Sequence, residues 1–308
     1  MYVVTVVPIM RGTPIPELTY YTIREVRPGD IVTITIRNSS QKGIAIRVEN
    51  ITDMRARLRS QEYELQKLGP EAPTPLLSEA QILMCTKTAL HHAATVGAVL
   101  HTLLPATIVE TCPSIPHTSL TPGAFQPLAL QNIYSERIAI YKNIAREAMA
   151  KQESLLILTP RRAVAEDVYR NLSKGIERHV TLLHGSLSRK KILTIWEDYA
   201  RDPKPRIIIG TSLSLTLPLH QLKTIIVERE SDDAYTMIER PHVDIRIAAT
   251  EYARALGARI ILSDTVLRTK TTIECEQSYR EHYMPPLHKV RTTAQQTVVH
   301  KKKEERGF

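Results

Sequence analysis

Four short apolar runs lie between Ser154 and Glu230 with helix-patterned segments between them, and this alternation restricts the fold of the 308-residue chain more than any other feature. The runs are Leu155-Leu156-Ile157-Leu158, Val180-Thr181-Leu182-Leu183, Ile207-Ile208-Ile209 and Thr224-Ile225-Ile226-Val227. Each is short and apolar on both alternating faces, as strands buried inside a parallel sheet are. Ala163 to Leu172 and Ser188 to Tyr199, which separate runs, carry helical spacing. The alternation predicts an α/β class lobe with a doubly wound parallel sheet. Ligands of such sheets sit beyond the carboxyl ends of the strands. Chemistry is therefore sought where the runs close, at Thr159-Pro160, His184-Gly185, Gly210-Thr211 and Glu228 with Glu230.

A chain of this length, 43% hydrophobic, has material for two ordinary cores. Lysine and arginine outnumber aspartate and glutamate 41 to 32, a net charge of +9. That surplus favours a polyanionic partner, nucleic acid before membrane, over an inert basic surface. Cys85, Cys112 and Cys275 stand far apart without a CxxC pair, so a disulfide framework or cysteine zinc site is not expected and a cytoplasmic location is. The opening residues lack a basic region and are cut by Pro8, unlike a signal peptide. His101 and Pro105 interrupt the apolar stretch from Val96 to Val109, and no membrane span is expected. His91 and His92 are adjacent and point about 100° apart on a helix, which does not suit a metal. No G-x-S-x-G elbow surrounds Ser186, Ser188 or Ser212, so hydrolase chemistry gains no support.

Taken in order, residues 1–50 read as β, with strands over Val3–Val7, Thr19–Ile23, Ile31–Arg37 and Gly43–Val48 and a hairpin loop from Asn38 to Gly43. A polar helix is expected from Arg55 to Leu68, then helices over Ser78–His92 and Val96–Leu104. Four prolines among threonine and serine mark 106–130 as a linker, extended in part. A helix over Ser135–Lys151 leads into the lobe, and the polar, lysine-rich tail is expected to be disordered.

Within the lobe, Leu183-His184-Gly185-Ser186-Leu187-Ser188 with Trp196, then Ile208-Ile209-Gly210-Thr211-Ser212-Leu213-Ser214-Leu215, then Leu222-Lys223-Thr224-Ile225-Ile226-Val227-Glu228 resemble three segments of one family. It is the primosomal protein N′ family, bacterial replication-restart helicases of superfamily 2, where the segments read LHSGLSxxERxxxW, IVIGTRSALF and LIIVDEEH. Thr19-Tyr20-Tyr21, Pro28-Gly29-Asp30-Ile31-Val32, Gly43-Ile44 and the helix from Leu90 to Leu100 resemble its 3′ DNA-end-binding domain. The resemblance implies a DNA-end-binding domain over 1–105, the linker over 106–130, a RecA-like P-loop-NTPase-type lobe over 131–285 and a basic tail over 286–308. It implies DNA as partner, preferably forks or single-strand/duplex junctions, other replication-restart proteins, no membrane, and ATP with magnesium as the family's cofactors.

The nucleotide motifs depart from the family. Its GxTGSGKT loop falls on Gln131-Asn132-Ile133-Tyr134-Ser135-Glu136-Arg137-Ile138, where no glycine lets backbone N–H groups close on phosphates and Arg137 stands in place of lysine. The magnesium-holding DEEH reads Glu228-Arg229-Glu230-Ser231, with Arg229 expected to compete for the metal's place. No second helicase lobe, zinc-binding cysteine set or winged-helix insert is recognisable. The expectation is a DNA-binding member without ATP hydrolysis or unwinding, with no bound cofactor and Arg137, Glu228 and Glu230 vestigial. Alternatives are a DNA-dependent ATPase or 3′-5′ helicase completed by another chain, and a scaffold that does not bind DNA. The candidate DNA contacts are Thr19, Tyr20, Tyr21, Lys42, Gly43, Arg55, Arg57, Lys67, Arg161, Arg162, Lys190 and Lys191, with Tyr20 the residue expected to stack on a base and Tyr21 expected to pack inward.

Overall fold

The computed structural model describes residues 1–10, 17–37, 39–50, 65–114, 123–277, 279 and 281–283. The chain begins with β1 (Tyr2–Pro8), β2 (Leu18–Thr22), β3 (Asp30–Ile36) and β4 (Ser39–Asn50), all antiparallel to their neighbours among themselves. Two short strands extend the sheet at its edges, β5 (Gln66–Lys67) beside β2 and β6 (Thr74–Pro75) beside β3. Alternation along the strands sends Val4, Val6, Tyr20, Val32 and Ile34 to one core. The hairpin loop expected over 38–43 is instead strand from Ser39 onward. Ile36 pairs directly with Ser39, and Arg37 adopts φ 47, the left-handed backbone that tight hairpins demand. Most of the helix expected from Arg55 lies outside the described residues, as does the tail over 286–308. The end of that expected helix, Gln66 and Lys67, is strand.

Helix α1 (Glu79–His91) starts in a reciprocal cap in which the Ser78 hydroxyl accepts from Gln81 N–H and the Gln81 side chain accepts from Ser78 N–H. Helix α2 (Val96–Leu103) is capped by Thr95. Its Gly97 touches the end of β1 so closely that a Cβ would stand 2.1 Å from the Pro8 carbonyl oxygen. The stretch expected to be a linker carries secondary structure at both ends: α3 (Ala106–Thr111) and β7 (Gln126–Gln131). Proline is tolerated in β7 because β13 (Glu281–Tyr283) pairs only Leu128 to Leu130, leaving Pro127 at an edge.

After β7 come α4 (Tyr134–Ala150), β8 (Ser154–Leu158), α5 (Arg162–Leu172), β9 (Val180–Leu183), α6 (Arg189–Arg201), β10 (Ile207–Gly210), β11 (Leu222–Glu228), α7 (Ile245–Leu256), β12 (Arg259–Asp264) and α8 (Thr269–Glu276). The strands form a seven-stranded parallel sheet in the order β13-β7-β12-β11-β8-β10-β9, the RecA-like doubly wound lobe that the sequence predicts. Period-two alternation divides each strand between two cores. Leu155, Ile157, Ile207 and Ile209 face Tyr141 of α4 and Val168 of α5. Leu156, Leu158, Ile208 and Val227 belong to the opposite core with Trp196 of α6 and Tyr252 of α7.

That second core continues into the antiparallel sheet through α1 and α2, taking in Val7, Ile31 and Ile44 together with Met84 and Leu100. Polar contacts reinforce the seam. The Gln81 amide donates to the carbonyls of Leu215 and Leu217 at 3.2 and 3.1 Å, and the Thr216 hydroxyl reaches the Leu103 carbonyl at 3.4 Å. His92 Nε2 accepts from the backbone N–H of Asp244 at 3.1 Å. Among the described residues no helix is long and apolar enough to cross a membrane.

Replacing Gln81 by leucine keeps much of the volume but orphans two buried carbonyls, so Gln81→Leu should cost about 1–3 kcal/mol in chemical denaturation. An unchanged midpoint would show that the seam is held by its apolar contacts alone. Burial lowers the pKa of His92, His184 and His220 from the ordinary 6.5. The unfolded chain therefore binds more protons, and stability present above about pH 6.5 is lost as the pH falls through the depressed values. The melting temperature should drop between pH 7 and pH 5, and the drop should shrink in His184→Gln.

Candidate nucleotide and DNA sites

At the carboxyl end of β7 the chain takes only Asn132 and Ile133 to reach α4, and Ile133 offers no side-chain cap to the helix. The Asn132 N–H donates to the Asp264 carbonyl and the Ile133 N–H to the Asn132 side chain. These first amides are thus turned onto the protein itself. One turn into α4, Arg137 points inward at 1% exposure. Its guanidinium forks onto Glu228 at the end of β11, Nε to Oε2 at 3.0 Å and Nη2 to Oε1 at 2.6 Å. The remaining Nη1 donates to the Asn132 carbonyl at 2.6 Å and to Thr265 Oγ1 at 2.9 Å.

Glu228, fully buried, is engaged from a second side as well. The Tyr141 hydroxyl, one helical turn after Arg137, donates to its Oε2 at 2.5 Å and lies 2.5 Å from Ser263 Oγ. Burial first, and the Glu228 charge second, push the Tyr141 phenol well above its ordinary range, so it stays protonated as a donor. Burial opposes the charge of Arg137, but the hydrogen bonds and charge of Glu228 outweigh it and raise the guanidinium pKa. The result is a closed, charge-neutral cluster. A phosphate nest needs a cation and free amides, and a magnesium site needs carboxylate oxygens open to the ion. The residues present do not fit a triphosphate with its magnesium. Among the described residues no group of three or more histidine, cysteine or acidic side chains is placed to hold a metal.

The structure thus brings together Arg137 and Glu228 but sends Glu230 elsewhere. Arg229 takes φ 54, which turns the chain, and Glu230 Oε1 accepts from the backbone N–H of Arg268 at 2.5 Å. The cation beside Glu228 is Arg137, whereas Arg229, expected to compete there, is exposed. Sequence reasoning missed the neighbouring buried network. Arg246 forks onto Asp244 at 2.7 and 3.0 Å and donates to the Glu230 carbonyl at 2.8 Å. Its only signal in the sequence is an acidic residue two before an arginine, which is too common to be read.

The candidate DNA residues fall in several places. On β2 the burial of the two tyrosines is the reverse of that expected. Tyr20 is buried, its hydroxyl donating to the Thr35 carbonyl at 3.1 Å, and what little shows of it lies in the wall of a cleft shared with Thr19. Tyr21 is the half-exposed one and stands in register with Lys67 of β5, which is exposed. Thr19 lines a cleft of about 410 Å³ with Arg37 and Gln66, while Lys67 lines another of about 250 Å³ with Arg24. Arg24 and Arg37 were not anticipated. Lys42 is engaged by Glu71 at 2.6 Å and by Thr33 at 3.0 Å. Gly43 is interior. A Cβ there would meet a Val6 side-chain carbon at 2.5 Å, so this glycine serves strand packing and not the approach of a ligand. Arg55 and Arg57 lie outside the described residues.

Arg161 and Arg162 follow β8, and Lys190 and Lys191 open α6 after β9, so both pairs stand at the carboxyl end of the parallel sheet. Arg161 reaches the half-buried Asp232 at 3.1 Å, and Arg162 reaches Glu166 at 2.6 Å in a solvent-facing pair worth little to stability. Lys190 and Lys191 are exposed, and the Ser188 hydroxyl caps their helix by accepting from Lys191 N–H at 3.3 Å.

No family model matches the chain. Among curated proteins it is similar to replication restart protein PriA of Helicobacter pylori strain J99, 22% identical over 323 residues, covering 99% of this chain and 48% of that protein. PriA of Rickettsia prowazekii is 20% identical over 77% of the chain and 39% of its own length. The probable PriA of Deinococcus radiodurans is 30% identical over 42% of the chain and 14% of its own length. The chain therefore spans about half, or less, of the relatives it matches. Similarity along nearly the whole chain, at low identity, thus relates it to PriA proteins, and the seven-stranded parallel sheet gives its second half a doubly wound α/β lobe.

Proposed function

We propose that the chain is a DNA-binding factor of replication restart that recognises forks, branched DNA or single-strand/duplex junctions without hydrolysing ATP or unwinding. The observation that carries the second half of this reading is the buried Arg137–Glu228 pair, which spends on each other the two charges a nucleotide and its metal would use. Similarity to PriA and the +9 charge support the first half.

In this reading residues 1–105 hold a DNA end or junction and residues 131–285 form a lobe that supports it. Tyr21 takes the stacking part expected of Tyr20, a contact worth about 1–3 kcal/mol per base. Its neighbour Lys67 faces the phosphates, as do Arg161, Arg162, Lys190 and Lys191 at the far sheet. The aspartate with which the family holds the 3′-OH has no counterpart at Thr19-Tyr20-Tyr21, so selection is by junction shape and charge rather than by the terminal hydroxyl. Other replication-restart proteins are the natural partners of such a factor.

Fluorescence anisotropy with a three-way fork and a blunt duplex of equal phosphate count tests the DNA half. The fork should keep its advantage as salt rises, and Tyr21→Ala should lower fork affinity about tenfold while leaving the duplex unchanged. Curves that collapse together would leave only electrostatics. For the cluster, Arg137→Met strands a buried carboxylate and should cost about 3–5 kcal/mol, most of it recovered in Arg137→Met/Glu228→Leu. Fork-stimulated ATP hydrolysis should be absent. Hydrolysis that disappears in Arg137→Met would instead favour a motor completed by another chain.

A further inference from the structure

A cavity of about 430 Å³ opens between α7, α8 and the start of β7, apart from the Arg137–Glu228 cluster. Its volume is within the roughly 300–1,000 Å³ of small-molecule sites. Four cations line it, Arg246, Arg254, Arg268 and Lys270, against two carboxylates, Glu251 and Glu274. They differ in what they have left to offer. Arg246 is consumed by Asp244 and by backbone carbonyls. Arg254 pairs with Glu251 at 2.5 Å and lies 4.9 Å over the ring of Phe125. Arg268 is partly exposed, lies 3.6 Å from Asp244 and also acts on the buried Glu230 carboxylate. Lys270 is exposed and has no ion-pair partner among the described residues.

The opposite chemistry stands in the same walls. Phe125 and Tyr279 are aromatic, with Tyr279 73% exposed, and Pro127, Ile247 and Leu262 add apolar surface. Flat apolar walls with an unpaired Lys270 and a loosely held Arg268 suit a ligand that has a π-face at one end and a phosphate at the other. Stacking on an aromatic ring is tolerant of base identity, and an arginine beside a lysine is a common phosphate contact.

We propose that this cavity binds one nucleotide unit, its base against Tyr279 and Phe125 and its phosphate at Arg268 and Lys270. The unit is either a free nucleoside monophosphate or a residue of a 5′-phosphorylated single strand. The assignment does not rest on fork recognition, since a free nucleotide fills the cavity whether or not the chain holds DNA.

The test is calorimetry of the full chain with three probes: adenosine monophosphate, inorganic phosphate and a 5′-phosphorylated oligothymidylate. Adenosine monophosphate should bind saturably, and phosphate at least about tenfold more weakly because it lacks the base. Lys270→Glu, an exposed change that should leave the melting temperature unaltered, should weaken binding about tenfold or more. Lys174→Glu, an exposed change outside both the cavity and the proposed DNA contacts, should leave monophosphate binding unchanged. Binding of the oligonucleotide alone, weakened more by Lys270→Glu than by Lys174→Glu, assigns the cavity to a strand residue. The proposal is overturned if phosphate binds as tightly as the monophosphate, if Lys270→Glu changes nothing, or if neither nucleotide probe binds saturably.

Discussion

The guanidinium of Arg137 and the carboxylate of Glu228 meet where α4 leaves the parallel sheet, and both are out of contact with water. Neither charge would be tolerable there alone, since a lone buried ion costs several kcal/mol. Together, with Tyr141, Ser263, Thr265 and the Asn132 carbonyl, they satisfy one another and join β7, β11 and β12 at their carboxyl ends. A doubly wound sheet ordinarily keeps a gap at this place for a ligand. Here the protein's own side chains fill it. The same contacts that stabilise the lobe leave a phosphate without a free cation and a metal without open carboxylate oxygens.

A second constraint is the seam between the two sheets. Helices α1 and α2 contribute to a core that runs from Ile44 of the antiparallel sheet to Val227 of the parallel one. Gln81 belongs at once to the cap of α1 and to the carbonyls of Leu215 and Leu217. A side chain so shared ties the start of one helix to a loop 134 residues away in sequence. In the proposed function this has a mechanical sense: whatever the antiparallel sheet holds is presented in a fixed orientation to the basic residues beyond β8 and β9. A factor that recognises branched DNA by shape needs that fixity more than it needs a motor.

Strand runs such as Ile207-Ile208-Ile209 were legible because an apolar residue at every position admits little but a strand covered on both faces. The helices expected over Ser78–His92 and Val96–Leu104 were equally local, and α1 and α2 lie there, each opened by a side-chain cap at Ser78 or Thr95. The burial of the β2 tyrosines was not legible because Tyr20 and Tyr21 are chemically alike and a strand gives them opposite faces. Only the register against β1, which pairs Tyr20 with Val4, decides which ring goes inside. The stretch before Gln131 looked like linker because prolines and threonines mask Leu128 and Leu130, and β7 exists because β12 is there to pair with it.

The sequence by itself determined the α/β class, the order of the lobe's strands along the chain, the loss of glycines before Arg137 and the basic surplus. These are properties of short spans or of sums, and short-range sterics and composition suffice to read them. What Arg137 does was decided only by the tertiary structure. Its partner lies 91 residues away, and a vestigial arginine facing solvent would have had the same sequence as one buried against Glu228. The cavity between α7 and α8 was decided in the same way, because its walls come from segments that only the closed sheet brings together. Long-range pairing of charge with charge, and of wall with wall, is set by how the elements pack, and no local pattern records it.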